Sequence, residues 1–93
     1  MKVVLITGGA KRLGQAMAER FAAAGWQVCV HYHHSAGDAA NLVARLPQAR
    51  SYGLDLLAAD ADFAGLIARV VADCGRLDCV VNSAALFEED GFF

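Results

Sequence analysis

The sequence predicts an α/β domain: a doubly wound parallel sheet of strand order 3-2-1-4, built as β-α-β-α-β-α-β. Three observations carry this expectation. A continuous apolar, β-branched run, Val3-Val4-Leu5-Ile6, opens the chain and reads as a strand covered on both faces. A glycine-rich turn, Thr7-Gly8-Gly9-Ala10-Lys11-Arg12-Leu13-Gly14, follows at once and leads into a helical pattern. Strand-like and helix-spaced segments then alternate as far as residue 81, and that alternation implies parallel pairing with right-handed crossovers.

Each later element has its own signal. Over residues 12–24, Leu13, Ala16, Met17, Phe21 and Ala24 recur at helical spacing, and Gly25 supplies a stop. Residues 27–32 (QVCVHY) read as the second strand. Ser35 can cap a second helix carrying Ala39, Leu42, Val43 and Leu46, which must end before Pro47. Residues 50–54 form a short third strand. Asp60 or Asp62 then starts a third helix with Phe63, Leu66, Ile67, Val70, Val71 and Cys74 on one face, closed by Gly75. Residues 77–81 form the fourth strand, and residues 82–93 a loop or the start of a further element.

Composition narrows the function classes. Ninety-three residues of 57% hydrophobic content suit one domain or part of one. A formal charge of −2 gives no basic field for nucleic acid, and only Lys11 and Arg12 are adjacent cations, a local anion site. Three cysteines, an odd number without CxxC spacing, fit reduced thiols better than a disulfide framework. Met1-Lys2 runs straight into strand residues with no cleavage-site pattern, and no apolar run is long enough to span a bilayer. The expectation is a cytoplasmic chain acting on a small molecule, with neither nucleic acid nor membrane as partner.

The chemistry lies in the turn. A buried strand that empties into glycines and then a helix cradles phosphate: the backbone can approach a diphosphate closely, and amides at the helix start stabilise the anion. The segment is not a P-loop, since no Gly-Lys-Ser/Thr ends it, and not a plain GxGxxG, since Arg12 stands between Gly8 and Gly14. A purely structural turn is the alternative. The end of the second strand selects among dinucleotides. An NAD site places a carboxylate there for the ribose 2′-hydroxyl, whereas this chain has His31-Tyr32-His33-His34-Ser35 and no acid before Asp38. Imidazoles, a serine hydroxyl and nearby Lys11 or Arg12 accept a 2′-phosphate, so NADP is the expected cofactor. A metal on the three histidines is disfavoured because near-consecutive histidines rarely converge on one ion and no cysteine or carboxylate adjoins them. Asp55-Leu56 falls where adenine would lie, with a turn or helix cap as its plain reading. Asn82-Ser83-Ala84-Ala85 ends the fourth strand beside the turn with small residues that let a ribose pass, or that simply pack.

Together these residues resemble the short-chain dehydrogenase/reductase family, a Rossmann-fold family, over the whole chain. TGGAKRLG matches its TGxxxGxG fingerprint with the middle glycine replaced by Arg12, and with VHYHHS it is similar to the pteridine-reductase branch, which pairs a TGxxKRxG turn with an HYHxS strand end. Asp55-Leu56 matches the adenine-side Asp motif and Asn82-Ser83-Ala84-Ala85 the NNAG motif. The resemblance implies NADPH-dependent reduction of a pterin or related ring carbonyl or imine. It implies cofactor contacts from Gly8, Lys11, Arg12, Leu13, Gly14, Tyr32, His33, His34, Ser35, Asp55, Leu56, Asn82, Ser83 and Ala84, with Arg12 also facing substrate and Phe87 stacking on the pterin. His34 stands where an arginine is common, and Ser83 replaces the second Asn.

The family's proton donor is a Tyr in a YxxxK pair beyond the fourth strand, assisted by Ser or Asp. Tyr32 and Tyr52 are the only tyrosines here, and neither has Lys four residues later. The expectation is therefore the N-terminal, cofactor-binding part of a reductase domain, residues 1–93, truncated after strand four, inactive and weak in cofactor binding alone, and homo-oligomeric when complete. A non-catalytic nucleotide-binding module completed by a partner chain, and a Rossmann-type enzyme of other chemistry, are the rival readings.

Overall fold

The computed structural model describes residues 1–8, 12–54 and 62–82. The elements are β1 (Val3–Thr7), α1 (Arg12–Ala23), β2 (Gln27–Tyr32), α2 (Ala36–Arg45), β3 (Ala49–Gly53), α3 (Phe63–Cys74) and β4 (Cys79–Asn82). All pairings are parallel, in the order β3-β2-β1-β4 that the alternation predicts. β1 lies between β2 and β4 with every residue buried, which is why its apolar run is unbroken rather than alternating.

Helices cover both faces. Val4, Ile6, Val28 and Val30 of the sheet pack with Ala18 of α1 and Leu42 of α2 on one side. Val3, Leu5, Cys29 and Tyr52 pack with Leu66 and Val70 of α3 on the other. Full burial of side chains such as Leu42 or Leu66 stabilises the fold by roughly 1.5–3 kcal/mol each. This two-sided cover makes the sheet doubly wound.

Local chemistry sets the element ends. Gly25 (φ 91°) and Gly75 (φ 85°) take the left-handed conformation that closes α1 and α3. Asp62 caps α3, its Oδ1 accepting from the Gly65 amide at 2.8 Å. α2 stops at Arg45, ahead of Pro47. Ser35 occupies the N-cap of α2, but its side chain makes no capping bond.

β4 starts two residues later than the apolar run suggests. Its ladder with β1 begins at the pair Val4–Cys79. Asp78 just before it is used differently: its amide donates to the Val3 carbonyl at 2.9 Å, and its carboxylate accepts from the Val3 amide at 2.8 Å. Leu77 packs into the α3-side core from outside the strand. Among the described residues β4 pairs with β1 alone, and Val80 is 43% exposed.

Because the sheet is parallel, the strand ends Thr7, Tyr32, Gly53 and Asn82 all emerge at one edge. The sequential order reverses between β1 and β4, and that is the switch point at which open α/β sheets place their ligands.

Candidate functional site

Two left-handed residues flank the turn between β1 and α1. Gly8 has φ 66°, which glycine adopts without steric cost. Arg12, at the head of α1, has φ 49°, a conformation that costs an L-residue about 1–2 kcal/mol. The backbone thus explains why the family fingerprint has glycine there, and Arg12 keeps the glycine conformation while adding an exposed guanidinium. Gly14 is buried, whereas Leu13 is exposed.

Two polar ties fix the floor of the site. Thr7 Oγ1 donates to Asn82 Oδ1 at 2.7 Å, joining the ends of β1 and β4 across the switch point. The Gly8 amide donates to Nδ1 of His31 at 3.0 Å. Nδ1 is therefore unprotonated, and Nε2–H is the nitrogen that donates to the Leu54 carbonyl at 2.6 Å. Burial holds the His31 imidazole below its ordinary pKa; the Leu54 bond opposes this and the charge on His33 reinforces it.

At the exit of β2 the side chains alternate. His31 is buried, 3% exposed, on the α3 side. Tyr32 points the other way, packs against the α1–α2 core and lays its ring over Gly53. His33 and His34 are exposed, with ring centroids 3.6 Å apart. Ser35 follows with a hydroxyl not spent on capping α2. The first carboxylate after β2 is Asp38, within the first turn of α2. This corner offers an incoming anion two imidazoles, a hydroxyl and the start of a helix.

The structure therefore brings Gly8, Arg12, Leu13, Gly14, Tyr32, His33, His34, Ser35 and Asn82 to the carboxyl end of the sheet, with Tyr32 turned to the α1–α2 face. Lys11, Asp55, Leu56, Ser83, Ala84 and Phe87 lie outside the described residues. His31 is the residue that sequence reasoning left out of the site. Its signal was present: alternation puts it on the same buried face as Cys29, whereas His33 lies past the end of β2 at Tyr32. No group of three metal-ligating side chains occurs among the described residues, and both ring nitrogens of His31 are already bonded to backbone. No helix among the described residues is long and apolar enough to cross a membrane.

A family profile described as short chain dehydrogenase matches residues 2–93, and the chain belongs to that family. It is 57% identical over 44 residues to pteridine reductase 1 of Leishmania tarentolae, a stretch that is 47% of this chain and 15% of that protein. It is 34% identical over 91 residues to the hydroxynaphthalene reductase arp2 of Aspergillus fumigatus, covering 91% of this chain and 32% of the other. Its fold superposes on the crystal structure of acetoin dehydrogenase from Enterobacter cloacae with a TM-score of 0.80 at 27% identity, covering 88% of this chain and 35% of that one. The chain thus spans about a third or less of the length of these relatives.

Proposed function

We propose that the chain supplies the NADP-binding part of a short-chain reductase acting on a pterin or a related ring carbonyl or imine. The observation that carries the cofactor choice is the exit of β2: His33, His34 and Ser35 stand there without a carboxylate until Asp38. An acid in that place would hold a ribose 2′-hydroxyl and repel a 2′-phosphate; this donor set does the reverse. The turn fits a dinucleotide on separate grounds, since left-handed Gly8 and Arg12 set the backbone beside the orphan amides of α1.

The Gly8 amide is committed to His31, so Gly8 serves a bound nucleotide through its conformation and lack of side chain. The diphosphate falls to the first amides of α1 and to Lys11 and Arg12. His33, His34 and Ser35 hold the 2′-phosphate, Asp55 and Leu56 the adenine, and Asn82, Ser83 and Ala84 the ribose side. Bound NADPH supplies a hydride. Arg12 and Phe87 orient the substrate ring, and the proton comes from a Tyr–Lys pair that residues 1–93 do not contain. Identity of 57% over 44 residues to a pteridine reductase supports the pterin assignment.

Calorimetric titration of the chain with NADPH and NADH tests this reading. NADPH binds more tightly by about tenfold or more, in keeping with charge-assisted bonds to one phosphate. Equal affinities would remove the 2′-phosphate argument.

A second reading is a non-catalytic nucleotide-binding module completed by a partner chain. The edge position and exposed Val80 of β4 favour it, because such an edge accepts a further parallel strand. Co-purification of a complementary chain without reductase activity would select it.

A further inference from the structure

We infer that His31 is a positioning residue of the nucleotide site, a fixed-tautomer brace that ties the mouth of the β1–α1 turn to the exit of β3. The inference rests on the nucleotide reading above and adds to it a mechanical link between the diphosphate end and the adenine end of the site.

The geometry is specific. β1 and β3 are not neighbours; β2 separates them, so their ends lie two strand spacings, roughly 10 Å, apart. His31, near the end of the intervening strand, reaches both. Its Nδ1 accepts from the Gly8 amide at 3.0 Å, and its Nε2–H donates to the Leu54 carbonyl at 2.6 Å. Each partner atom lies past the ladder that would otherwise hold it. At Gly8 the chain turns left-handed, and the last β1–β2 ladder pair is Ile6–Val30, so the Gly8 amide has left the ladder. The Leu54 amide still bonds the Tyr32 carbonyl, whereas its own carbonyl lies past the last β2–β3 pair, Tyr32–Gly53.

One imidazole therefore satisfies a donor on one side and an acceptor on the other. Only the neutral Nε2–H form can do both. A carboxamide offers an acceptor and a donor too, but is too short to span the pair: His31→Asn places its oxygen near the Nδ1 position and can keep Gly8, while losing Leu54. The three histidines thus divide their work. His33 and His34 face solvent at the rim, and His31 aligns the two backbone segments behind them.

The test is made on the full chain by NMR, with isotope-labelled histidine and backbone. At pH 7.5 the His31 ring shows a single tautomer, Nδ1 bare and Nε2 protonated. Adenosine 2′-monophosphate, which carries no diphosphate, perturbs both Leu54 and Gly8 in the wild type. In His31→Leu it perturbs Leu54 alone, and NADPH affinity falls about fivefold to tenfold, the scale of one or two lost hydrogen bonds. His31→Asn restores the Gly8 amide shift and its hydrogen-exchange protection but not the link to Leu54. A His31 ring that averages both tautomers, or a Gly8 response that persists in His31→Leu, overturns the brace even while NADPH still binds. If His31→Leu does not fold, the wild-type tautomer and the His31→Asn exchange pattern decide the matter. Wild-type chain that shows no response to NADPH overturns the nucleotide reading itself, and the brace with it.

Discussion

Thr7 and Asn82 are register partners in the β1–β4 ladder, and the Thr7 hydroxyl donates to the Asn82 side-chain oxygen at 2.7 Å. The same hydroxyl lies 3.4 Å from the Val81 carbonyl. The bond orients the Asn82 amide, engaging its oxygen and leaving its NH2 group as the end not bonded to Thr7. Thr7→Val keeps the shape and removes the bond. Asn82 is exposed and recovers water, so the expected loss is modest, about 0.5–1.5 kcal/mol in urea unfolding. NADPH affinity falls in parallel. An unchanged affinity would show that Asn82 needs no orientation by Thr7.

Arg12→Gly separates stability from binding. The left-handed Arg12 pays a backbone cost that glycine does not, so the variant gains about 0.5–1 kcal/mol of stability after allowance for glycine's greater entropy loss. Under the proposed function one guanidinium serves both ligands, so cofactor and pterin affinities are expected to fall together. A variant that is more stable yet binds pterin as before would remove Arg12 from the substrate side.

Cys29 is the buried thiol at the centre of the α3-side core, 3.6 Å from Cys74. Burial, then its bond to Cys74, pushes its pKa up to about 12. At pH 8 its thiolate fraction is about a thousandfold or more below that of an unperturbed cysteine, so iodoacetamide labels it correspondingly slowly in the folded chain. Peptide mass mapping of labelling times measures this. Labelling of Cys29 at the rate of an exposed thiol would mean that α3 does not cover β2.

How much of this was legible in the sequence depends on the length scale of each signal. The strands and helices were, because burial on both faces leaves unbroken runs such as VVLI, and a one-faced helix leaves spacing such as Phe63, Leu66, Ile67 and Val70. The start of β4 was misplaced because Leu77 is apolar for the core without belonging to the ladder, and only the pairing with β1 distinguishes the two. Ser35 was legible as a helix start but not in the orientation of its hydroxyl. Arg12 could be read as a departure from a glycine pattern; that it retains the glycine's left-handed backbone is a fact of conformation. His31 was hidden by composition. Three histidines in one stretch look alike until alternation and neighbouring strands assign one to the interior.

The pH dependence of stability follows from His31. Burial lowers its pKa in the folded chain below the ordinary 6.5, so the unfolded chain takes up a proton more readily. Stability from this group is fully present above about pH 6.5 and is lost as pH falls through that value towards the lower folded pKa. The physical event is the conversion of Nδ1 from acceptor to donor, which sets it against the Gly8 amide. Asp78 acts in a separate window: its bond to Arg76, and then the Val3 amide, hold its carboxyl below the ordinary 3.8, so its contribution disappears only at more acid pH. Urea midpoints measured from pH 7.5 down to about pH 2.5 therefore decline in the wild type before any carboxylate of Asp78's kind titrates. In His31→Asn the part of the decline just below pH 6.5 vanishes, while the acid limb set by Asp78 stays. A wild-type midpoint that is flat across pH 7.5 to 5 would show that the imidazole is free to protonate in place, and that the Gly8 bond contributes nothing to holding the turn.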